Sequence, residues 1–119
     1  MKPVVWIGSS LQDIRAFPRP VQRAMGWALQ MAQLGGKHPD AKPLKGFGGA
    51  GVLEIVEDFD EDSYRGVYTV KFGDVVYVLH CFQKKSKHGI ETPKREMDLI
   101  RARLRRAEEH YEREWRRRR

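Results

Sequence analysis

The sequence has very few features of secreted, disulfide-bonded or membrane-embedded proteins. Cys81 is the only cysteine among 119 residues, so no internal disulfide bond is possible and a reducing compartment fits. No apolar run approaches the roughly 20 residues needed to span a bilayer. The first residues also lack the apolar stretch of a signal peptide. We therefore predict a cytoplasmic protein that is not embedded in a membrane.

Familiar metal and cofactor motifs are missing as well. The four histidines and one cysteine show no metal-ligand spacing, so we do not expect a zinc site. There is no Walker loop, nucleophile elbow or dinucleotide fingerprint, and the glycine-rich stretch 46–51 lacks the Lys-Ser/Thr ending of a phosphate loop. We therefore expect an activity that uses no metal and no cofactor.

Positive charge is abundant and unevenly distributed. Lys and Arg number 23 against 16 Asp and Glu, which gives a net charge of +7 and favours a polyanionic partner such as nucleic acid. Residues 94–119 carry 11 basic and 6 acidic side chains, whereas residues 54–62 form an acidic stretch. The sequence therefore predicts a strongly polarised surface.

The hydrophobic pattern predicts an α+β fold with a small antiparallel sheet, an N-terminal helical hairpin and a C-terminal helix. We expect a first strand at 4–7, a short helix to about Phe17, a second helix over 21–32 and a glycine-rich loop over 37–51. Three strands follow in a meander, at 52–58, 64–72 and 75–83, and a final helix begins near Thr92-Pro93. We expect the helices to lie largely on one face of the sheet.

The length allows one domain, which we place at residues 1–115. The last four residues, 116–119, are all arginine and form a basic tail that we expect to fray. The apolar positions of the second helix recur at three- and four-residue steps, which is typical of a helix that buries one side. They are Val21, Met25, Ala28, Leu29 and Ala32.

The densest cationic segment is Lys84-Lys85-Ser86-Lys87-His88, directly after the most apolar strand. Cations at a strand end stand on a rigid platform and can contact a phosphate, although such a segment can equally be a solvated loop. His88 lies within this segment and is the histidine best placed for proton transfer. His80 lies inside the apolar strand, where we expect a structural role.

Arg65 is the second candidate for binding an anion. In the predicted meander it lies opposite the residues just after position 81, so it can meet Lys84 or Lys85 across the strands. Arginine can hold a phosphate with two hydrogen bonds. An ion pair with Glu54 or Glu57 is an equally good interpretation from the pattern alone.

Three ordered segments resemble the phage-derived HigB-like toxins of the RelE/ParE superfamily, over about residues 43–107. The Lys-Lys-Ser segment and the Thr-Pro-x-x-Glu segment at this separation form the most specific part of the resemblance. The segments are Tyr64-Arg65-x-x-Tyr68, Leu79-His80-x-Phe82-x-Lys84-Lys85-Ser86 and Thr92-Pro93-x-x-Glu96.

The resemblance implies a RelE-like sheet with a basic concave face and a partnership with a small helix-turn-helix antitoxin, in a toxin–antitoxin hetero-oligomer. It also implies metal-free cleavage of messenger RNA at the ribosome, by attack of a ribose 2′-hydroxyl on the adjacent phosphate. Such chemistry needs positioned cations more than a strong base.

We assign site residues on this basis. The catalytic candidates are Arg65, Lys84, Lys85 and His88, and the RNA-binding candidates are Lys45, Lys87 and Tyr68. The relatives often carry an arginine where this chain has Val56. Arg65 then carries the anion-binding role alone, or the activity is weaker.

Two other functions remain open at this point. A ParE-like protein would inhibit DNA gyrase without cutting nucleic acid, although the basic segment after the last strand favours the ribonuclease. A non-catalytic RNA-binding remnant of a toxin is compatible with the basic tail and with Val56.

Overall fold

The computed structural model describes residues 1–48, 51–84 and 92–115. Its strands and helices follow the predicted order, with one extra strand before the meander. The elements are β1 (Val4–Trp6), α1 (Ser10–Arg15), α2 (Arg19–Gln33), β2 (Ala41–Pro43), β3 (Val52–Phe59), β4 (Asp62–Thr69), β5 (Val76–Lys84) and α3 (Lys94–Glu114).

The α+β class is confirmed, but the sheet is mixed and not purely antiparallel. Its five strands lie in the order β1-β5-β4-β3-β2. The meander β3-β4-β5 is antiparallel as predicted, whereas β1 runs parallel to β5. The prediction missed this because β1 and β5 are far apart in sequence, and a parallel neighbour leaves no turn signal. The apolar strand β5 gains a neighbour on each side.

A second correction concerns the predicted loop 37–51. Residues Ala41–Pro43 form the edge strand β2, which pairs with β3 through Ala41 and Ile55. Three residues that include a proline carry no strand pattern, and proline in a sheet is confined to edges such as this one. The pairing partner, not the local sequence, makes this segment a strand.

The helices lie on both faces of the sheet, so the prediction that they lie largely on one face is wrong. On one face α1 and α2 pack against alternate residues of β3, β4 and β5, and the buried stripe of α2 is the predicted one. On the other face α3 packs through Ile100 and Ala107. Both faces of β5 are apolar because each is covered by a helix. Packing of α1 and α2 as a hairpin stays a prediction.

A β-bulge in β5 sets which side chains face α3. Val67 pairs with His80 and Tyr68 pairs with Val78, so Leu79 is an extra residue in the ladder. Leu79 packs in the α3-side core, and His80 bonds to side chains of α3. The bulge therefore turns two successive residues toward α3, as bulges commonly do where a side chain must be re-aimed.

Candidate active site

The candidate site lies on the α3 face of the sheet, where β4 and β5 approach the start of α3. Arg65 pairs with Phe82, and Ser63 pairs with Lys84. Arg65 and Lys84 are therefore diagonal neighbours on one face, as the meander predicted, at a separation that long side chains can bridge. Lys84 is partly exposed and is the last residue of β5.

Arg65 is held by a carboxylate and a hydroxyl. Its Nη1 donates to Glu54 Oε2 at 3.0 Å and to Thr92 Oγ1 at 3.2 Å. The Thr92 hydroxyl lies 3.3 Å from the same Glu54 oxygen, to which it donates. Arg65 is only 6% exposed, so the ion-pair interpretation with Glu54 is the one that the structure has.

A second polar network lies deeper on the same face and centres on His80. Arg103 Nη1 approaches His80 Nδ1 at 3.1 Å, and His80 Nε2 lies 2.5 Å from Glu96 Oε2. Arginine can only donate, so Nδ1 accepts and the neutral ring carries its proton on Nε2, which donates to Glu96. Burial lowers the pKa of His80 and Arg103 lowers it further, whereas Glu96 opposes both. His80 is a buried neutral histidine at the base of the site.

Arg103 links this network to the N-terminal part of the chain. It is 8% exposed, and it donates to the Leu79 carbonyl at 3.0 Å and to Ser9 Oγ at 3.1 Å. Ser9 Oγ in turn donates to Asp13 Oδ2 at 2.7 Å. Burial lowers the pKa of Arg103, and Asp13 counters this. The guanidinium therefore ties α1, β5 and α3 together.

Gly8 makes room for this guanidinium. Its φ is +57°, and a Cβ at this position would lie 2.7 Å from Nε of Arg103. Both the backbone conformation and the close approach therefore require glycine here.

The loop before β3 brings Lys45 to the same face. Leu44 and Phe47 pack in the α3-side core, and the guanidinium of Arg101 lies 5.3 Å from the centre of the Phe47 ring. Lys45 lies between these two anchors and is exposed. It is therefore available at the surface near the N-terminal half of α3.

The structure places one of the remaining site residues predicted from the sequence in the core, and the others lie outside the described residues. Tyr68 is 1% exposed and packs in the core beneath α2, on the face opposite Arg65, so its assignment to RNA binding is corrected. Residues along β4 from Tyr64 to Tyr68 alternate between the two faces of the sheet, which the motif alone did not reveal. Lys85, Lys87 and His88 lie outside the described residues, as does the tail 116–119. Val56 lies opposite Arg65 in the ladder.

Sequence reasoning missed two members of the site and underrated a third. Glu96 was visible as the last residue of the Thr-Pro-x-x-Glu segment, but was assigned only to the start of a helix. His80 was given a structural role, yet it bonds to both Glu96 and Arg103. Arg103 gave no signal, because it is one of many arginines in α3.

One groove within the described part of the chain lies away from the candidate site. This groove of about 630 Å³ lies at the other end of the molecule, where Met1, Leu34, Asp74 and Trp115 line it. It touches none of the candidate residues.

Residues 1–48, 51–84 and 92–115 contain neither a metal cluster nor a helix able to cross a membrane. Within these ranges no three His, Cys, Asp or Glu side chains come together as a metal site. In the same ranges, no helix has the length and apolar character that crossing a membrane requires.

The sequence matches a known protein family. No curated protein matches the sequence. The family described as "Phage derived protein Gp49-like (DUF891)" matches residues 12–105, a range that includes Arg65, His80, Lys84, Glu96 and Arg103. Because this match spans most of the 119 residues, the chain belongs to the phage-derived Gp49-like family.

Proposed function

We propose that this protein is the toxin of a type II toxin–antitoxin system and that it cleaves messenger RNA on the ribosome. The observation that carries the proposal is the convergence of three separate sequence segments on one face of the sheet. Arg65 from β4, His80 and Lys84 from β5, and Thr92 and Glu96 from the start of α3 meet where the basic segment begins. The resemblance to HigB-like toxins supports the same function.

The chemistry suits a site built from cations and hydrogen bonds. The ribose O2′ attacks the adjacent phosphorus and loses its proton to a base, while the P–O5′ bond breaks and O5′ takes up a proton. The products are a 2′,3′-cyclic phosphate and a 5′-hydroxyl. Negative charge grows on the phosphoryl oxygens in the transition state, and positioned cations stabilise it.

The proposed roles keep the assignments made from the sequence. Lys84 and Lys85 contact the scissile phosphate, His88 transfers a proton, and Lys45 and Lys87 bind the flanking RNA. Lys84 and Lys45 reach the surface.

Arg65 acts in this proposal as a positioning residue. Through Glu54 and Thr92 it fixes the point at which the chain leaves the basic segment and enters α3. The His80–Glu96 pair fixes the first turn of α3 in the same way.

The proposed partners are the ribosome with its messenger RNA and a helix-turn-helix antitoxin in a hetero-oligomer. A net charge of +7 favours fast association with polyanionic RNA and with an acidic antitoxin segment.

The test is primer extension on total RNA after brief induction, comparing the parent chain with the double variant Lys84→Gln/Lys85→Gln. The parent should produce discrete cuts within translated messages. The double variant should lose about 100-fold or more in cleavage rate, the scale expected when transition-state charge loses its cations. Its thermal unfolding should match that of the parent.

Lys71→Gln is the matched control, because it removes one exposed lysine from the opposite end of the β4–β5 hairpin. It should cleave like the parent. Intact messages accompanied by DNA damage would contradict the proposal and indicate a gyrase inhibitor. RNA binding to translating ribosomes without any cuts would indicate a non-catalytic remnant.

A further inference from the structure

Helix α2 presents an unusual outer surface on the face of the molecule opposite the candidate site. Its buried stripe faces the sheet, and five residues on the other side of the helix are exposed. Trp27 is 59% exposed, a large value for a tryptophan. We call these five residues the α2 stripe: Arg19, Arg23, Gly26, Trp27 and Gln30.

The charge of this region is of one sign. Residues 14–39 contain Arg15, Arg19, Arg23 and Lys37, and no Asp or Glu. No ion pair forms at any of the three arginines within the part of the chain that the structure describes. In α3, by contrast, Asp98 pairs with a lysine and an arginine along the helix. The cations of α2 are therefore available to an external anion.

Gly26 is the independent observation that points to a ligand. Glycine inside a helix destabilises it relative to alanine. The position does not need glycine, because its φ is helical and a Cβ would meet no atom within 4 Å. Packing within the protein therefore does not explain the residue. It leaves bare backbone beside Trp27, where a ligand can approach closely.

We propose that the α2 stripe binds single-stranded RNA. Arg19 and Arg23 lie one helical turn apart and contact neighbouring phosphates. Trp27 stacks on an unpaired base, and Gly26 lets that nucleotide lie against the helix backbone. An exposed tryptophan in line with unpaired arginines favours RNA over an acidic protein segment, because stacking rewards a base and not a carboxylate.

This surface is separate from the cleavage site. It lies across the sheet from Arg65 and Lys84, so it binds RNA that does not occupy the site. A failure of the cleavage proposal would leave this proposal intact, and the reverse also holds.

The experiment measures binding of a fluorescein-labelled oligouridylate whose riboses are 2′-O-methylated, so that the proposed cleavage chemistry cannot act on it. All variants carry Lys84→Gln/Lys85→Gln, which removes the contribution of the other face. Trp27→Ala should raise the Kd about tenfold. Arg19→Gln/Arg23→Gln should reduce the slope of log K against log salt by about 1.4, or about 0.7 for each lost phosphate contact.

Arg105→Gln/Arg106→Gln is the matched control, since it removes two exposed arginines from α3. It should lower the salt slope less than the α2 double variant does. Equal effects of the two double variants, or an unchanged Kd in Trp27→Ala, would overturn the proposal and indicate diffuse attraction by net charge.

Gly26→Ala separates a binding role from a folding role. It should raise the Tm, because alanine is the better helix former, and yet weaken RNA binding at least threefold. A higher Tm with unchanged binding would overturn the role of Gly26 and with it the proposed close contact. Competition by polyglutamate as effective as by unlabelled RNA would also contradict the proposal, and would indicate an acidic protein as the partner.

Discussion

The two faces of the sheet are built from the same strands but differ in kind. Beneath α2, the core consists almost wholly of apolar side chains, with the hydroxyl of Tyr68 among them. Beneath α3, the apolar residues are interrupted by two polar networks, one centred on Arg65 and one on His80. Because strand residues alternate, one stretch of sequence supplies both.

This difference in core composition bears on the proposed position of the site. Buried charged groups lose their hydration, and apolar residues of similar volume are often equally or more stabilising. The α2 side shows that these strands can form an ordinary apolar core. The α3 side carries Arg65, Glu54, Arg103 and Glu96 instead, which supports the proposal that the site lies on this side.

Removing Glu54 should cause the largest loss of stability, through the Arg65 network on the α3 side. Glu54→Ala leaves the Arg65 guanidinium, 7% exposed in its side chain, without the carboxylate that it contacts at 3.0 Å. We expect the free energy of unfolding to fall by about 3 kcal/mol, as when one partner of a buried ion pair is deleted. Urea denaturation followed by circular dichroism measures this.

Glu57→Ala is the control for Glu54→Ala. Glu57 lies on the same strand, and burial together with Asp40 raises its pKa, so its charge is poorly accommodated. Its removal should be neutral or stabilising. Equal losses in the two variants would show that the Arg65–Glu54 pair contributes nothing specific.

Lowering the pH should reduce the stability of the protein, because His80 is buried on the α3 side. Burial holds the pKa of His80 in the folded protein below its ordinary value of 6.5, so below pH 6.5 the unfolded chain takes up a proton that the folded chain resists. Stability present above pH 6.5 should therefore be lost as the pH falls. The slope for one proton is at most about 1.4 kcal/mol per pH unit.

The comparison of His80→Gln with the parent isolates this contribution from that of the other three histidines. Unfolding free energies measured between pH 7.5 and pH 5 should fall less steeply in the variant. A parallel pH dependence in both proteins would contradict a neutral, buried His80.

The sequence predicted the elements that have strong local patterns. The stripe of α2 and the meander follow from apolar spacing, and the meander alone brings Arg65 and Lys84 to one face. The parallel pairing of β1 with β5 depends on contacts between distant segments, which periodicity does not report. The helices on both faces follow from the same long-range packing.

The site was only partly predictable for a related reason. A motif names residues but not the face that each occupies, so Tyr68 was grouped with Arg65 although the two point to opposite sides. The bulge at Leu79 shifts the alternation and turns His80 toward α3. Arg103 could not be found, because only the three-dimensional structure distinguishes a buried arginine from exposed ones on the same helix.

Two buried tyrosines lie on opposite faces of the sheet, and replacing each with phenylalanine should change stability less than the substitutions above. On the α3 face, Tyr77 is fully buried and its hydroxyl lies 2.8 Å from His110 Nδ1. Tyr77→Phe removes one partner of this hydrogen bond and should lower the free energy of unfolding by about 1 kcal/mol. Burial raises the pKa of Tyr77 to about 12, so the hydroxyl stays neutral at the pH of the experiment. Thermal denaturation at pH 7.5 measures the loss.

Tyr68→Phe should have the smallest effect and the opposite sign. Tyr68 is 1% exposed, burial raises its pKa to about 12, and its hydroxyl has no hydrogen-bond partner in the described part of the chain. A cavity of only about 10 Å³ adjoins it, among side chains that include Met25 and Cys81. Deleting an unpartnered buried hydroxyl removes a desolvation penalty, so stability should stay constant or rise by up to about 1 kcal/mol. A loss equal to that of Tyr77→Phe would contradict this and would mean that an ordered water satisfies the hydroxyl, which would make the α2 side less purely apolar than its residues indicate.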